Sequence, residues 1–250
     1  MAKVDDYRDI LRFHDEWDEY LLAESGLPGP RGNLELARAV AYEGNLATFR
    51  RYAAYDAESA PVNSPYEFLA FCGVLGLGRL IAEGDMDLIP ELRSHASDSR
   101  WRTREAVAMA VQWWGDADMP AVLAEMKSWA DGNLLEQRAA VAGLCEPRLL
   151  TIPEYVAGTI GVLDRVTAGV EQELDRRSDA FRALRQSLGY CWSVAVAADP
   201  DIGKPAMARW LTASDPDVRW ILRENLKKKR LERADAAWVQ HAQALLAKTA

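Results

Sequence analysis

The chain has 250 residues and a mass of 27.8 kDa, which is long enough for one large domain or two small ones. Hydrophobic residues make up 49% of it and charged residues 27%, a globular balance that excludes a disordered or fibrous chain. The net charge of −8 and the isoelectric point near 5.1 disfavour general affinity for nucleic acid, because phosphate binding needs a positive field.

Helical signals run along the whole chain, whereas the alternating patterns typical of strands are nearly missing. An apolar stripe at helical spacing predicts a first helix from Tyr7 to Leu21. The pairs Ser64-Pro65, Asp199-Pro200 and Asp215-Pro216 each join a capping side chain to a proline and predict helix starts. Further helices are predicted at about 33–43, 45–54, 65–83, 86–96, 101–114, 119–130, 134–145, 153–174, 179–197, 203–212, 216–229 and 233–248. The fold class is therefore predicted to be all-α.

An internal repeat appears when the chain is aligned with itself. The segment 100–105, Arg-Trp-Arg-Thr-Arg-Glu, matches 219–224, Arg-Trp-Ile-Leu-Arg-Glu. An aspartate precedes an arginine by six residues in three places and by seven in a fourth: Asp98 and Arg104, Asp179 and Arg185, Asp217 and Arg223, and Asp131 and Arg138. The four arginines are 34, 47 and 38 residues apart in chain order, which is typical of two-helix solenoid units that must stack to bury their apolar faces. In such units the aspartate caps a helix, and the arginine can bind the aspartate or carbonyl groups of the neighbouring unit.

Over residues 85–230 this pattern resembles the HEAT-repeat family, whose helix pairs carry an aspartate and a basic residue at this spacing. The resemblance implies a right-handed superhelix of stacked antiparallel helix pairs, that is, a HEAT-like α-α solenoid. On this interpretation residues 1–250 form a single α-solenoid domain. Residues 1–84 would be an irregular N-terminal helical cap, and 85–250 would be the HEAT-like repeats.

A narrower resemblance concerns the HEAT-like DNA alkylation-repair glycosylases. The segment 101–108, with Trp101, Arg104 and Glu105, looks like parts of those enzymes, and 219–229 is similar to their closing helices. The family lines a basic groove with tryptophans and an aspartate that engage a damaged nucleotide. Trp114 and Asp118 have a comparable spacing, but Asp118 precedes a proline and is more simply interpreted as a helix cap.

Nine tryptophans are many for this length, and most are expected to fill the space between packed helices. Trp101 and Trp220 are the exceptions, because arginines flank each of them near a helix start. The candidate binding residues are Trp101, Arg104, Arg138, Arg185, Trp220 and Arg223. Residues 219–233 carry seven basic side chains against two acidic ones, which fits a phosphate-contacting stripe or, as the favoured interpretation, a solvated helix end.

The sequence contains no motif typical of a phosphate loop, a metal site or a catalytic serine. The glycines of 72–78 lack the strand and the lysine-serine pair of a phosphate loop, so they are expected to let another helix approach closely. The histidines are widely separated, which disfavours a metal site, and no serine lies in a nucleophile elbow. No cofactor is predicted. Three distant cysteines in apolar surroundings fit reduced, buried thiols.

These observations favour a cytoplasmic, non-enzymatic repeat protein that binds a protein or peptide partner on its concave face. The N-terminus lacks an apolar stretch behind a basic start, and no unbroken apolar run of about 18 residues predicts a membrane span. The alternative is DNA-lesion binding or DNA glycosylase activity like that of the alkylation-repair family. Nucleic-acid binding is supported by the basic segment and disfavoured by the net charge.

Overall fold

The computed structural model describes residues 2–248, and every regular element in that range is a helix. The prediction of an all-α chain is confirmed. Short 3-10 helices at Met86–Leu88 and Pro147–Leu149 accompany the α-helices, which in chain order are α1 (Ala2–Phe13), α2 (Asp18–Glu24), α3 (Leu34–Glu43), α4 (Leu46–Ala53), α5 (Pro65–Ala82), α6 (Ile89–His95), α7 (Trp101–Trp129), α8 (Leu134–Leu144), α9 (Pro153–Val170), α10 (Asp179–Ala198), α11 (Pro200–Ala208), α12 (Pro216–Leu226) and α13 (Lys229–Lys248).

The predicted helix starts are confirmed where a capping side chain precedes a proline. The Ser64 hydroxyl accepts a hydrogen bond from the backbone N–H of Glu67 at 3.3 Å. Asp215 accepts from two backbone N–H groups of the first turn of α12, at 2.9 and 3.0 Å, and Asp199 does the same for α11. These bonds satisfy donors that the first turn of a helix otherwise leaves free.

The prediction of one continuous helix from Tyr7 to Leu21 is wrong, because α1 ends at Phe13 and α2 begins at Asp18. The indole N–H of Trp17 donates to the backbone oxygens of Leu11 and His14, at 2.9 and 3.0 Å. The Trp17 side chain therefore provides a hydrogen-bond donor for carbonyl groups at the end of α1. The apolar spacing does not reveal this break, because Leu11 before it and Leu21 after it are both buried, as in one continuous helix.

The break predicted between 101–114 and 119–130 is confirmed inside α7. Asp118 has non-helical backbone angles, with φ −149° and ψ 80°. Its carboxylate accepts from the N–H of Ala121 at 3.0 Å, so Asp118 caps the second part of the helix, as the sequence suggested.

The chain divides into two compact units, Met1–Ala117 and Asp118–Ala250. In the N-terminal unit α5 is central, and α2, α3 and α4 pack against it. Within the described residues α5 alone is long and apolar enough to suit a membrane span, with a mean hydropathy of 1.3, but 72% of it is buried. Such burial is typical of the core helix of a globular unit.

The interpretation of the glycines in 72–78 as points of close helix approach is confirmed. A Cβ atom added at Gly73 would lie 2.3 Å from the backbone nitrogen of Ala53, and one at Gly78 would lie 2.2 Å from the Cβ of Ala110. Both distances are far below van der Waals contact, so only glycine lets these backbones approach.

In the C-terminal unit α10 is central. It packs against α8 and α12, and also against α9, α11 and α13, while α9 packs against α11. Trp192 of α10 is fully buried and donates its indole N–H to the hydroxyl of Thr167 at 3.0 Å. Trp129 of this unit and Trp114 of the N-terminal unit are also buried, as expected for tryptophans that fill helix interfaces.

The cysteine prediction is confirmed as well, because Cys72, Cys145 and Cys191 are all free and buried. Burial raises the pKa of the Cys72 and Cys145 thiols well above the ordinary value, since it disfavours the charged thiolate.

Candidate functional site

The N-terminal unit contains a small apolar cavity of about 150 Å³. Half-exposed Trp101 lies on it, with 49% of its surface accessible. Eleven residues line the cavity, most of them apolar or aromatic: Leu27, Pro30, Arg31, Gly32, Leu34, Phe68, Phe71, Trp101, Arg102, Glu105 and Met109.

One wall of the cavity is the loop that joins α2 to α3. The backbone N–H of Asn33 donates to the oxygen of Ser25 at 2.8 Å and closes the loop at its base. Gly26 adopts φ +72°, a left-handed conformation that glycine adopts without strain. At the far side of the loop, the N–H of Gly29 donates to the side chain of Asn63 at 3.0 Å. These bonds fix the loop against the helical core.

The other walls come from α5 and α7. Phe68 and Phe71 are three residues apart on α5 and therefore lie on one face of it. Trp101, Glu105 and Met109 recur every four residues on α7 and share a face in the same way. Both phenylalanines are nearly buried, whereas Trp101 is exposed, so the aromatic surface extends from the core to solvent.

Arg102 joins the cavity to a buried ion pair. Its guanidinium lies 4.5 Å from the centre of the Trp101 ring, and its Nη1 binds the Glu67 carboxylate at 3.0 Å. Its Nη2 donates to the backbone oxygen of Gly29 at 2.9 Å. Glu67 has no exposed surface and also accepts from the N–H of Asn63 at 2.6 Å. Arg102 therefore ties the loop, α5 and α7 together.

This ion pair leaves two buried polar atoms without a hydrogen-bond partner, Nε of Arg102 and Oε1 of Glu67. Arg102 lines the cavity, whereas Glu67 does not. The ionisable side chains of the lining are those of Arg31, Arg102 and Glu105.

Of the six residues predicted from sequence, only Trp101 lies at this cavity. Arg104 turns back on its own segment, donating to the backbone oxygens of Asp98 and Ser99 at 2.6 and 2.8 Å. The carboxylate of Asp98 instead binds Arg100. Arg104 was expected to bind groups of a neighbouring unit, whereas the two oxygens that accept from it belong to its own segment.

Arg185 and Trp220 come together in the C-terminal unit. The Arg185 guanidinium lies 4.2 Å from the centre of the Trp220 ring, and its Nη1 binds Asp217 at 2.5 Å. Asp217 also binds Arg176 at 2.9 Å. Arg185 is on α10 and Asp217 is on α12, so this ion pair joins two neighbouring helices.

A second carboxylate, Asp215, belongs to the same cluster. Burial by itself would raise the pKa of Asp215. The hydrogen bonds from Arg176 and from two backbone N–H groups outweigh that effect and hold the pKa below its ordinary value. This cluster joins α12 to the loop that precedes α10, which is a structural role.

The two remaining predicted residues lie on different helices of the C-terminal unit. Arg138 is half-buried on α8, and Arg223 is exposed on α12. Asp131 forms an ion pair with Arg165, and Asp179 forms one with Arg182. The expectation that the aspartates of the predicted pairs cap helices is wrong for α8, α10 and α12, whose capping side chains are Asn133, Ser178 and Asp215.

Arg100 and Arg219 occupy the same position in the two Arg-Trp segments and have similar surroundings. Neither is among the six residues predicted from sequence. Arg100 is almost fully buried and donates to the backbone oxygens of Tyr55, Asp56 and Ala60. Arg219 is likewise buried, and its Nη2 donates to the oxygen of Leu246 at 2.5 Å. The feature of the sequence that could have identified these two arginines is the repeated Arg-Trp dipeptide.

The basic segment lines a cleft of about 620 Å³ in the C-terminal unit. Arg230 stacks on Tyr190 at 4.4 Å and donates to its hydroxyl at 2.5 Å. The other wall is apolar, and the residues of the lining are Pro147, Leu150, Val194, Ala197, Ala198, Lys227, Lys228, Lys229, Arg230 and Arg233. No acidic side chain is among them.

Comparison with known proteins finds no similarity that assigns a family: no protein-family model matches the chain, and no curated protein or solved structure does.

Proposed function

We propose that this protein is a non-enzymatic helical repeat protein that binds a protein or peptide partner. The observation that carries the proposal is the apolar cavity beside Trp101, whose volume of about 150 Å³ is that of a site for one ring-sized apolar group. A partner's apolar side chain would enter the cavity, and Trp101 would cover it. Exposed aromatic anchors beside apolar pockets are typical of protein-binding hot spots.

The helix contacts of the C-terminal unit support the repeat part of the proposal. There α8, α10 and α12 pack side by side, and α9 packs against α11. Two rows of alternate helices are what stacked helix pairs of the HEAT type produce. The ion pair between Arg185 and Asp217 links two helices of one row, which is compatible with HEAT-like stacking.

A peptide library displayed on phage and selected on the full chain tests this function. We expect the enriched peptides to share an apolar residue and to lose binding to the Trp101→Ala variant. Trp210→Ala is the matched control, because Trp210 lies in the C-terminal unit and binds Asp164 at 2.8 Å. A library that yields no binder, or binders that tolerate Trp101→Ala as well as Trp210→Ala, contradicts the proposal.

DNA-lesion binding is the second candidate, and the basic cleft of the C-terminal unit is the observation that favours it. Its five cations would contact phosphates. The two residues that suggested a lesion-reading pair have other roles, since Trp114 is buried and Asp118 caps a helix.

A mobility shift with duplex DNA at about 50 mM salt tests the second candidate. Binding that weakens with salt and with Lys228→Glu or Arg223→Glu would support it. Lys248→Glu, an exposed change outside the cleft, is the control. Absence of a shift at this salt concentration removes the candidate.

A further inference from the structure

The basic cleft of the C-terminal unit combines a group of cations with an apolar wall. We propose that it binds a second copy of the chain through the turn between α1 and α2, residues 13–16, with the sequence Phe-His-Asp-Glu. In this contact Phe13 of one copy packs on the apolar wall of the other, and the carboxylates of Asp15 and Glu16 pair with its cations. None of these residues lines the cavity beside Trp101, so the contact is independent of the function proposed above.

Two cations of the cleft have no carboxylate partner in their own chain. Lys229 and Arg233 lie one turn apart at the start of α13, and both are exposed. Within residues 2–248 neither side chain forms an ion pair or a hydrogen bond. The other three cations of the lining already contact an acidic or aromatic side chain. Because none of the ten lining residues is acidic, the cleft attracts an anionic group.

The apolar wall indicates which kind of anion the cleft accepts. Val194, Ala197 and Ala198 of α10 form this wall together with Pro147 and Leu150, and Pro147 and Ala198 are exposed. A phosphate backbone has no apolar surface to cover these side chains, whereas an acidic segment of a protein carries both apolar side chains and carboxylates. The cleft therefore fits a protein segment better than it fits DNA.

The acidic turn, residues 13–16, has the complementary surface. All four of its residues are exposed, and Phe13 is 89% exposed. In the described part of the chain, the side chains of Asp15 and Glu16 form no hydrogen bond or ion pair. Packing of the phenylalanine on the apolar wall removes apolar surface from water, and Lys229 and Arg233 supply charges opposite to those of the two carboxylates.

The charges around the two surfaces favour the same contact. Residues 5–24 carry eight acidic and two basic side chains, whereas residues 219–233 carry seven basic and two acidic ones. Opposite charges of this size attract two copies before they touch and disfavour the contact of two like surfaces. Since the contact joins two different surfaces, copies associate head to tail, either into a closed ring or into a longer chain of copies.

A second exposed loop also carries an apolar residue among acids, but its own contacts distinguish it from the acidic turn. Leu174 is 98% exposed between Glu173 and Asp175. Both carboxylates accept hydrogen bonds from backbone N–H groups of this loop, at 2.7 and 3.2 Å. The exposed Arg177 follows and would repel the cations of the cleft. Leu174 is therefore suited as the matched control for Phe13.

Sedimentation equilibrium of the full chain tests the contact. The weight-average mass should rise above that of one chain between about 10 and about 500 μM protein at about 50 mM salt, and high salt should reduce this rise by screening the charges. Phe13→Ser should raise the dissociation constant at least about tenfold, because it removes the apolar part of the contact. Leu174→Ser and Glu58→Lys, both exposed changes outside the two surfaces, should leave the dissociation constant unchanged.

Two charge-reversal variants connect the acidic turn to the cleft. Asp15→Lys/Glu16→Lys makes the turn basic, and Lys229→Glu/Arg233→Glu makes the cleft acidic. Each variant alone should stay monomeric, because its turn and its cleft then carry charges of the same sign. An equimolar mixture again pairs surfaces of opposite charge and should associate. Circular dichroism of each variant checks that these exposed changes leave the helices intact.

Three results would overturn the proposal. The first is a single-chain mass at every concentration in low salt. The second is association that Leu174→Ser weakens as much as Phe13→Ser does. The third is a mixture of the two folded charge-reversal variants that remains monomeric while the parent chain associates.

Discussion

Glu67 and Arg102 form an ion pair at 3.0 Å in which the carboxylate has no exposed surface and the arginine side chain has 8%. The attraction between the two charges is largely cancelled by the cost of removing both from water, so the net contribution of the pair to the free energy of unfolding is small. Removal of one partner nevertheless leaves an uncompensated charge in the core. The pair thus holds the cavity wall in place more than it stabilises the unit.

Replacement of Glu67 by leucine should lower the free energy of unfolding by about 3–5 kcal/mol, because Arg102 is then buried without its counter-ion. The double variant Glu67→Leu/Arg102→Met should lose less than Glu67→Leu alone. Urea unfolding followed by circular dichroism measures both values. Losses that simply add would show that the two side chains do not interact.

Gly73→Ala should destabilise the protein by about 1–3 kcal/mol or prevent folding, because the new Cβ overlaps the backbone of α4. Gly161→Ala is the matched control, since no atom lies within 4 Å of a Cβ at that position of α9. We expect the control to gain up to about 1 kcal/mol from helix propensity. Thermal unfolding of the two variants compares them, and similar melting temperatures would refute the close approach.

Arg219 and Arg223 lie on the same helix but should differ in their effect on stability. Arg219→Ala removes a buried guanidinium that binds backbone oxygens, and we expect a loss of about 1.5–3 kcal/mol. Arg223→Ala changes an exposed side chain and should stay within about 0.5 kcal/mol of the parent. Chemical denaturation of both variants checks the difference, and equal losses would argue against the buried role of Arg219.

The Asp215 cluster predicts sensitivity to acid. Because the pKa of Asp215 is lower in the folded chain than in the unfolded one, its stabilising effect is present above the unfolded value of about 4. It is lost as the pH falls from there through the folded pKa. Arg176→Met should reduce this contribution, so that its melting temperature lies below that of the parent at pH 6 and the gap narrows as the pH falls below about 4. A constant difference across that range would contradict the prediction.

Most helices could be predicted from the sequence, because helix caps and apolar spacing depend on residues that are close together in the chain. Ser64, Asp118, Asp199 and Asp215 all cap the helices that the sequence assigned to them. The break at Trp17 was missed, because it depends on where one indole N–H finds its acceptors. These acceptors are set by the tertiary structure, so the apolar periodicity of the sequence does not indicate the break.

The candidate site was predicted only at Trp101. Its other walls come from a loop and from α5, far away in sequence, and single-sequence reasoning has no means of pairing Phe68 with Leu27. Arg102 lies inside the repeated motif, but the spacing from an aspartate favours Arg104. In the fold, Arg104 binds carbonyl oxygens of its own segment, whereas Arg102 lines the cavity.

The burial of all three thiols has a practical consequence for spectroscopy. Maleimide dyes and spin labels react with accessible thiolates, and the native cysteines offer none to them while the chain is folded. A cysteine introduced at an exposed position such as Phe13 or Leu174 would then carry the label alone. Distances between attached probes could be measured without first replacing the natural cysteines.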